Sequence, residues 1–407
     1  MNKTRLKKYA SLIANVGAGV KKGQEVMIFA ELDQPEFVKM LVDECYKAGA
    51  KRVDVEWNYQ PLTKLHVRYR SVKTLGEVLD WEVEKLKRRV SVLPVMIYLL
   101  SEDPDGLNGI NQKKYSQGSR ERSKIIKPFR DQMENKYQWC IAAVPGVKWA
   151  KKVFPDCRAS VAVEKLWEAI LSTSRCYDDP EKEWEKHNKE LHERCDYLNS
   201  LGIQSLHYSS SNGTDFTVGL IENSHFCGGE ELTVSGNRYN PNIPSEEVFI
   251  SPKKGEAEGT VYSVMPLSYR GELIENFSIT FKDGKAVEVH AEKNEELLKE
   301  LISMDEGAAM LGECALVPYD SPIRNSGILF YNTLFDENAA CHLALGEGFP
   351  STIDGGENLS IEQCREMGIN KSIIHEDFMI GAKDLDITAK TRDGREIQIF
   401  KNGNWAF

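Results

Sequence analysis

Six residues between positions 247 and 377 are of types that hold metal ions: Glu247 in PNIPSEEVF, Glu313 in LGECALVP, Glu337 and His342 in DENAACH, and His375 and Asp377 in HEDFMIG. Four carboxylates and two imidazoles make a mixed set of hard oxygen and borderline nitrogen donors. That set suits a pair of divalent first-row metals. Two such ions polarise a carbonyl and bring the pKa of a shared water toward about 7. Convergence of the six would make the protein a metallohydrolase.

Taken singly, each residue has a plainer reading. His375 and Asp377 are two apart, so on a strand they share a face and Glu376 points the other way. The flanking Ile373, Ile374, Phe378, Met379 and Ile380 argue for burial there, and a buried charge needs a partner or a metal. Glu313 sits in an apolar strand-like run. Its alternative is the C-terminal end of the preceding helix, where the macrodipole disfavours a negative charge. Glu337 and His342 are five apart, which matches neither a helix face nor a strand face. Their convergence requires a bend, and His342 alone reads equally as a hydrogen-bonded core residue. Glu247 stands either in a solvated loop or at the mouth of a strand that begins with Val248-Phe249-Ile250. The other six histidines carry no metal assignment, and His187 and His192 read as a solvated helix face.

Two kinds of segment must position these groups. In the first half, helical spacing over 4–18, 35–49 and about 72–90 alternates with apolar strand-like runs at 23–32, 51–59, 95–103 and 139–146. This rhythm predicts an α/β domain with a mostly parallel sheet. Long helices are expected at 162–175 and 181–202. Beyond residue 203, paired alternating runs flank Asn212-Gly213, Asp283-Gly284, Asp393-Gly394 and Asn402-Gly403, a hairpin signature. One helix, 295–311, interrupts them. The second half therefore reads as an α+β domain rich in antiparallel strands that carries all six candidate ligands. The expected division is 1–190 and 191–407, since 407 residues exceed a single core.

Composition narrows the function. A hydrophobic content of 41% with 28% charged residues describes a soluble globular protein, and a net charge of −10 argues against general nucleic-acid binding. No apolar run is long enough to span a membrane. The nine scattered cysteines lack a C-x-x-C pair, which fits reduced thiols and a cytoplasmic setting. P-loop, H-E-x-x-H and G-x-S-x-G patterns are missing, which removes nucleotide hydrolysis and serine-hydrolase chemistry.

Several long segments, among them KGQEVMIFA, NGTDFTVGL, NPNIPSEEVF, LGECALVP, LFYNTLFDENAACHLALGEG and GINKSIIHEDFMIGA, resemble the M29 family of metallo-aminopeptidases nearly end to end. The resemblance implies that Glu247, Glu313, Glu337, His342, His375 and Asp377 are the ligands of two divalent ions, Zn²⁺, Co²⁺ or Mn²⁺, with Glu313 bridging. It also implies a homodimer that releases N-terminal amino acids from short peptides. One position departs from the pattern. Seven residues after His342, where the family usually has a Tyr near the metals, this chain has Phe349. A phenyl ring cannot donate a hydrogen bond to an oxyanion. Two alternatives follow from Phe349: a related metallohydrolase with another amide substrate, or a weakly active metal-binding dimer.

Overall fold

In a computed structural model of the chain, the structure describes residues 2–356 and 359–407. The chain divides into two compact units, residues 1–186 with 230–244, and residues 187–229 with 245–407.

In the first unit, the apolar runs form strands β1 (Glu25–Glu31), β2 (Arg52–Asn58), β3 (Val95–Leu100) and β4 (Trp139–Ala143). They run parallel in the order β2-β1-β3-β4, with the two-residue strand Asn242–Ile243 added beside β4. Helices α1 (Lys3–Leu12) and α2 (Pro35–Lys47) lie where the spacing placed them. The last turn of the expected 4–18 helix is a π-type turn, Ile13–Gly17. The expected 72–90 helix is two, Val72–Gly76 and α3 (Asp80–Val92), because Glu82 reaches back to the Leu79 amide at 2.9 Å and caps a new start. Two further helices, Pro61–Tyr69 and α4 (Gln112–Met133), fall on segments with no helical expectation.

The long helix α5 (Pro180–Ser200) leads into the second unit. His187, expected on a solvated face, is 3% exposed there and its ring nitrogen meets the Ser245 carbonyl at 2.7 Å. Nine strands form an antiparallel sheet in which all four expected hairpins occur. Asp283 and Gly284 both have positive φ (49° and 77°), as do Asn402 and Gly403 (51° and 74°). That is the backbone of a two-residue turn whose twist matches the strands.

A second, four-stranded antiparallel sheet runs β5 (Val248–Ile250), β6 (Leu311–Leu316), β7 (His342–Gly346) and β8 (His375–Met379). The expected helix 295–311 is shorter. Helix α6 (Glu295–Ile302) stops because Asp305 accepts from the Ala308 and Ile373 amides at 2.8 and 2.7 Å. At Gly307 a Cβ would lie 1.8 Å from the Lys371 carbonyl, so only glycine permits the close approach. The released residues become β6, which puts Glu313 on a strand.

Candidate metal centre

Strand parity decides which side chains of the four-stranded sheet share a face. Glu313 pairs with Ala344, and Ala344 with Asp377; Ala315 pairs with His342, and Gly346 with His375. Glu313, His342, His375 and Asp377 therefore share one face, over a central strand that offers only Ala344 and Gly346 between them. A bulge at Gly312 sets this register. A Cβ there would lie 2.1 Å from the Glu347 carbonyl. The other face, with Cys314, Leu343, Leu345 and Phe378, joins the hydrophobic core. Glu376 pairs with Leu345 and faces away, as its spacing predicted.

Glu247 lies at the mouth of β5 and is 7% exposed. Glu337 begins a 3-10 turn, Glu337–Ala339, after which Ala340 is extended. That turn is the bend that a spacing of five required. All six candidates are thus brought to one place. Glu247, Glu313 and His342 present donor atoms within 4.8 Å of one another, and so do Glu313, His375 and Asp377. Glu313 belongs to both groups. Glu337 hydrogen-bonds Asp377.

Both imidazoles are oriented for ligation. Nδ1 of His342 faces the Ala340 carbonyl at 3.2 Å, and Nδ1 of His375 faces the Glu347 carbonyl at 2.8 Å. A carbonyl only accepts, so each Nδ1 carries the proton and each Nε2 is left for the site. Nε2 of His342 lies 3.2 Å from Glu247 Oε2. Nε2 of His375 lies 3.0 Å from Glu313 Oε2 and 3.3 Å from Asp377 Oδ1.

The electrostatics call for cations. Among the described residues, these four buried carboxylates form ion pairs only with the two histidines. With both imidazoles protonated, four carboxylates still leave two negative charges; two divalent ions and neutral imidazoles would leave none. The titration of Glu337, Glu313, His342, His375 and Asp377 reports that strain. Burial raises Glu337 well above the usual range, helped by the charges of Asp377 and Glu247. Glu313 is raised by burial too, against a lowering hydrogen bond from His375. Burial would lower His342, but its hydrogen bond with Glu247 prevails and holds it at about 9. His375 is likewise driven up, by Asp377 and Glu313, against burial. Burial would raise Asp377, but His375 keeps it below the ordinary range. Asp377 Oδ1 is buried and faces Nε2 of His375 at 3.3 Å without a well-formed hydrogen bond. A donor set of this kind, with a carboxylate oxygen short of hydrogen bonds and two ring nitrogens aimed inward, fits divalent metal.

Residues outside the six hold this arrangement. Asn338, fully buried, accepts from the Glu246 amide at 2.7 Å and donates to Glu337 Oε1 at 3.3 Å and to the Leu334 carbonyl at 2.9 Å. Asp305 fixes Ser372 and Ile373 just ahead of His375. Sequence reasoning missed both. The only signal for Asn338 was its place between Glu337 and His342.

Phe349 packs beside His375. Its ring centroid lies 4.8 Å from that of His375 and 5.5 Å from that of Phe249, and its amide donates to Ser251 Oγ at 2.7 Å. His375, with 26% of its side chain exposed, is the most accessible of the histidine and carboxylate groups in these ion pairs.

Known proteins of similar sequence agree with this chemistry. The profile of the family described as thermophilic metalloprotease (M29) matches residues 2–405. Aminopeptidase AmpS of Bacillus subtilis (strain 168) is 41% identical over 405 residues, covering 99% of this chain and 98% of its own. Aminopeptidase T of Thermus thermophilus is 36% identical over 405 residues, with the same coverage. The solved structure of wild-type AmpT from Thermus thermophilus matches with a TM-score of 0.90 over 100% of both chains. The chain therefore belongs to the M29 family of metallopeptidases, and it is a metal-dependent aminopeptidase.

Proposed function

We propose that the enzyme works with two divalent cations bridged by Glu313 and removes N-terminal residues from short peptides. The observation that carries the reading is the membership of Glu313 in both donor groups. Glu247 and His342 would complete the protein ligands of one ion; His375, Asp377 and the neighbouring Glu337 those of the other. Zn²⁺, Co²⁺ and Mn²⁺ all suit this oxygen and nitrogen set. When bound, such ions supply Lewis acidity toward a peptide carbonyl and a water that ionises near neutral pH.

The protein's own part is placement. The Ala340 and Glu347 carbonyls fix both imidazoles in one tautomer. Glu337, raised by burial, holds a proton toward Asp377 that a bound divalent ion would displace. Glu247 and Glu313, the carboxylates nearest the histidines of the two groups, orient the reacting centre. The His375–Phe349 edge is the side from which a peptide N-terminus enters. Family resemblance adds a homodimer in the cytoplasm. Nine free thiols are consistent with that compartment, and among the described residues no helix is long and apolar enough to cross a membrane.

Phe349 favours a second reading: weak peptide turnover, or a different amide substrate. The phenyl ring packs beside His375 and offers no donor to an oxyanion forming there. The deciding experiment loads metal-depleted protein with Zn²⁺, Co²⁺ or Mn²⁺. Bound metal is counted, and hydrolysis of aminoacyl-p-nitroanilides and di- to pentapeptides is followed. Two bound ions with peptide turnover are expected. Two ions with no turnover of any peptide would leave only the different amide substrate, and a single ion at saturation would overturn the bridged pair.

A further inference from the structure

The first unit contains a cavity whose lining includes none of the six candidate ligands. Its volume is about 290 Å³, and it is lined by side chains of α3 and α4 and of the adjoining strands. Phe29 of β1 and Tyr98 of β3 form a stacked pair in its wall, with centroids 4.8 Å apart and planes 11° from parallel.

The remaining lining is rich in hydrogen-bond donors and poor in acceptors. Lys85, Arg89, Arg122 and Arg130 face only two carboxylates, Glu56 and Glu82. Glu56 is taken by Lys85 at 2.6 Å and Arg89 at 2.8 Å, and Glu82 by Arg122. The exposed Arg130 forms no ion pair or hydrogen bond with any described residue; the buried Nε of Arg89 has no hydrogen-bond partner, and its guanidinium lies over the Phe29 ring, 5.1 Å from the centroid. The Tyr98 hydroxyl donates only to the sulfur of Met96, at 3.3 Å, a weak acceptor. The Tyr137 hydroxyl has no hydrogen-bond partner among the described residues. Two cationic charges in excess, two underused phenols and an aromatic wall select for a planar anion. A guanidinium fork matches a carboxylate in two parallel bonds. The volume sits at the lower end of small-molecule sites, which limits the ligand to one or two rings.

We propose that this cavity binds a small aromatic carboxylate, its charge on Arg130 and the phenol of Tyr137 and its ring along Tyr98. The test uses the full-length, metal-loaded protein with benzoate and indole-3-carboxylate as probes, followed by saturation-transfer NMR and equilibrium dialysis. Benzyl alcohol is the uncharged control and inorganic phosphate the non-aromatic one. Both carboxylates are expected to bind, with benzyl alcohol silent and phosphate weaker. Arg130→Gln is expected to weaken binding by about tenfold or more, as for the loss of one charge-assisted pair. Arg130→Lys should retain part of the affinity, and neither variant should change peptide hydrolysis. Carboxylate binding that survives Arg130→Gln undiminished would place the probe elsewhere, the metal centre included, and would overturn the proposal. So would an equal response to phosphate, or no binding of either carboxylate by the unmodified protein.

Discussion

Asn338 offers the sharpest perturbation of the metal centre that replaces no proposed ligand. Its side chain is 0% exposed and makes three hydrogen bonds: from the Glu246 amide, to the Leu334 carbonyl and to the Glu337 carboxyl. It thereby ties the loop before β5, which carries Glu247, to the turn that carries Glu337. In Asn338→Ala, the Glu246 amide and the Leu334 carbonyl lose their buried partner, at about 1–3 kcal/mol for each unsatisfied group. The bond to Glu337 adds about 1.5–3 kcal/mol if that carboxyl is ionised. These terms are not additive, and a water entering the vacated space can recover part. With that recovery, a net loss of about 3–5 kcal/mol is expected in the metal-free protein, a large share of the roughly 5–15 kcal/mol that usually separates folded from unfolded chains.

The functional consequence follows from slack in two proposed ligands at once. Removing a group that orients metal ligands typically lowers affinity by about 10–100-fold. Urea unfolding of metal-free protein and competition against a chelator of known affinity measure the two effects. Asn338→Asp separates them. It keeps an acceptor for the Glu246 amide but places a further carboxylate against Glu337. It should hold the loop better than Asn338→Ala at low pH and lose that advantage as pH rises. An Asn338→Ala protein within about 1 kcal/mol of the parent and unchanged in metal affinity would refute the reasoning.

Other outcomes follow from the same geometry. Glu313→Ala is expected to abolish activity and remove both ions, whereas Glu247→Ala should leave the ion at His375 and Asp377; elemental analysis of the two variants distinguishes a bridging from a terminal carboxylate. Phe349→Tyr restores a phenol beside His375 and should raise kcat, by up to about 10²–10³ if it supplies one oxyanion donor; an unchanged kcat would show that the phenol is dispensable here. His342 in the folded, metal-free protein titrates at about 9, above its ordinary value of 6.5. Its protonated form thus stabilises fully below 6.5, and that contribution is lost as pH rises through about 9. Glu337, also raised, acts in the same direction. The melting temperature of metal-free protein should therefore fall between pH 6.5 and 9, and saturating metal should flatten the decline. For the same reason metal loading at pH 7 should release protons, seen as a binding enthalpy that changes with the ionisation enthalpy of the buffer.

Legibility along this chain depends on whether position is set locally. The hairpin turns were readable because Asp283-Gly284 and Asn402-Gly403 dictate their own positive φ values. The parallel sheet was readable because its strands are continuous apolar runs. The helices Pro61–Tyr69 and Gln112–Met133 were not: the first buries only Val67, and the second is strongly polar and contains Pro128. Asn242–Ile243, two residues long, has no period to detect, yet it extends the parallel sheet. The same rule governs the candidate ligands. His375 and Asp377 declared a shared face through a spacing of two. Glu337 and His342 did not, since a 3-10 turn followed by an extended Ala340 has no fixed sequence signature.

What joins these groups into a site is register, which no single segment contains. In β8 the residues alternate between faces. Ile374, Phe378 and Ile380, from 9% to 0% exposed, join the core, and Phe378 packs 5.8 Å from Phe277. His375 and Asp377 therefore face the site. A slip of one residue against β7 would turn both into the apolar layer and bring Ile374 and Phe378 to the metals. Moving two buried charged groups away from their partners into an apolar layer excludes that alternative by several kcal/mol. The bulge at Gly312 does the same for β6, where the crowding against the Glu347 carbonyl admits no side chain and turns Glu313 onto the site face. The hydrophobic layer beneath the sheet thus sets the positions of the carboxylates above it. Its apolar residues were legible as a core, but their part in aligning the candidate ligands is visible only once the strands are paired.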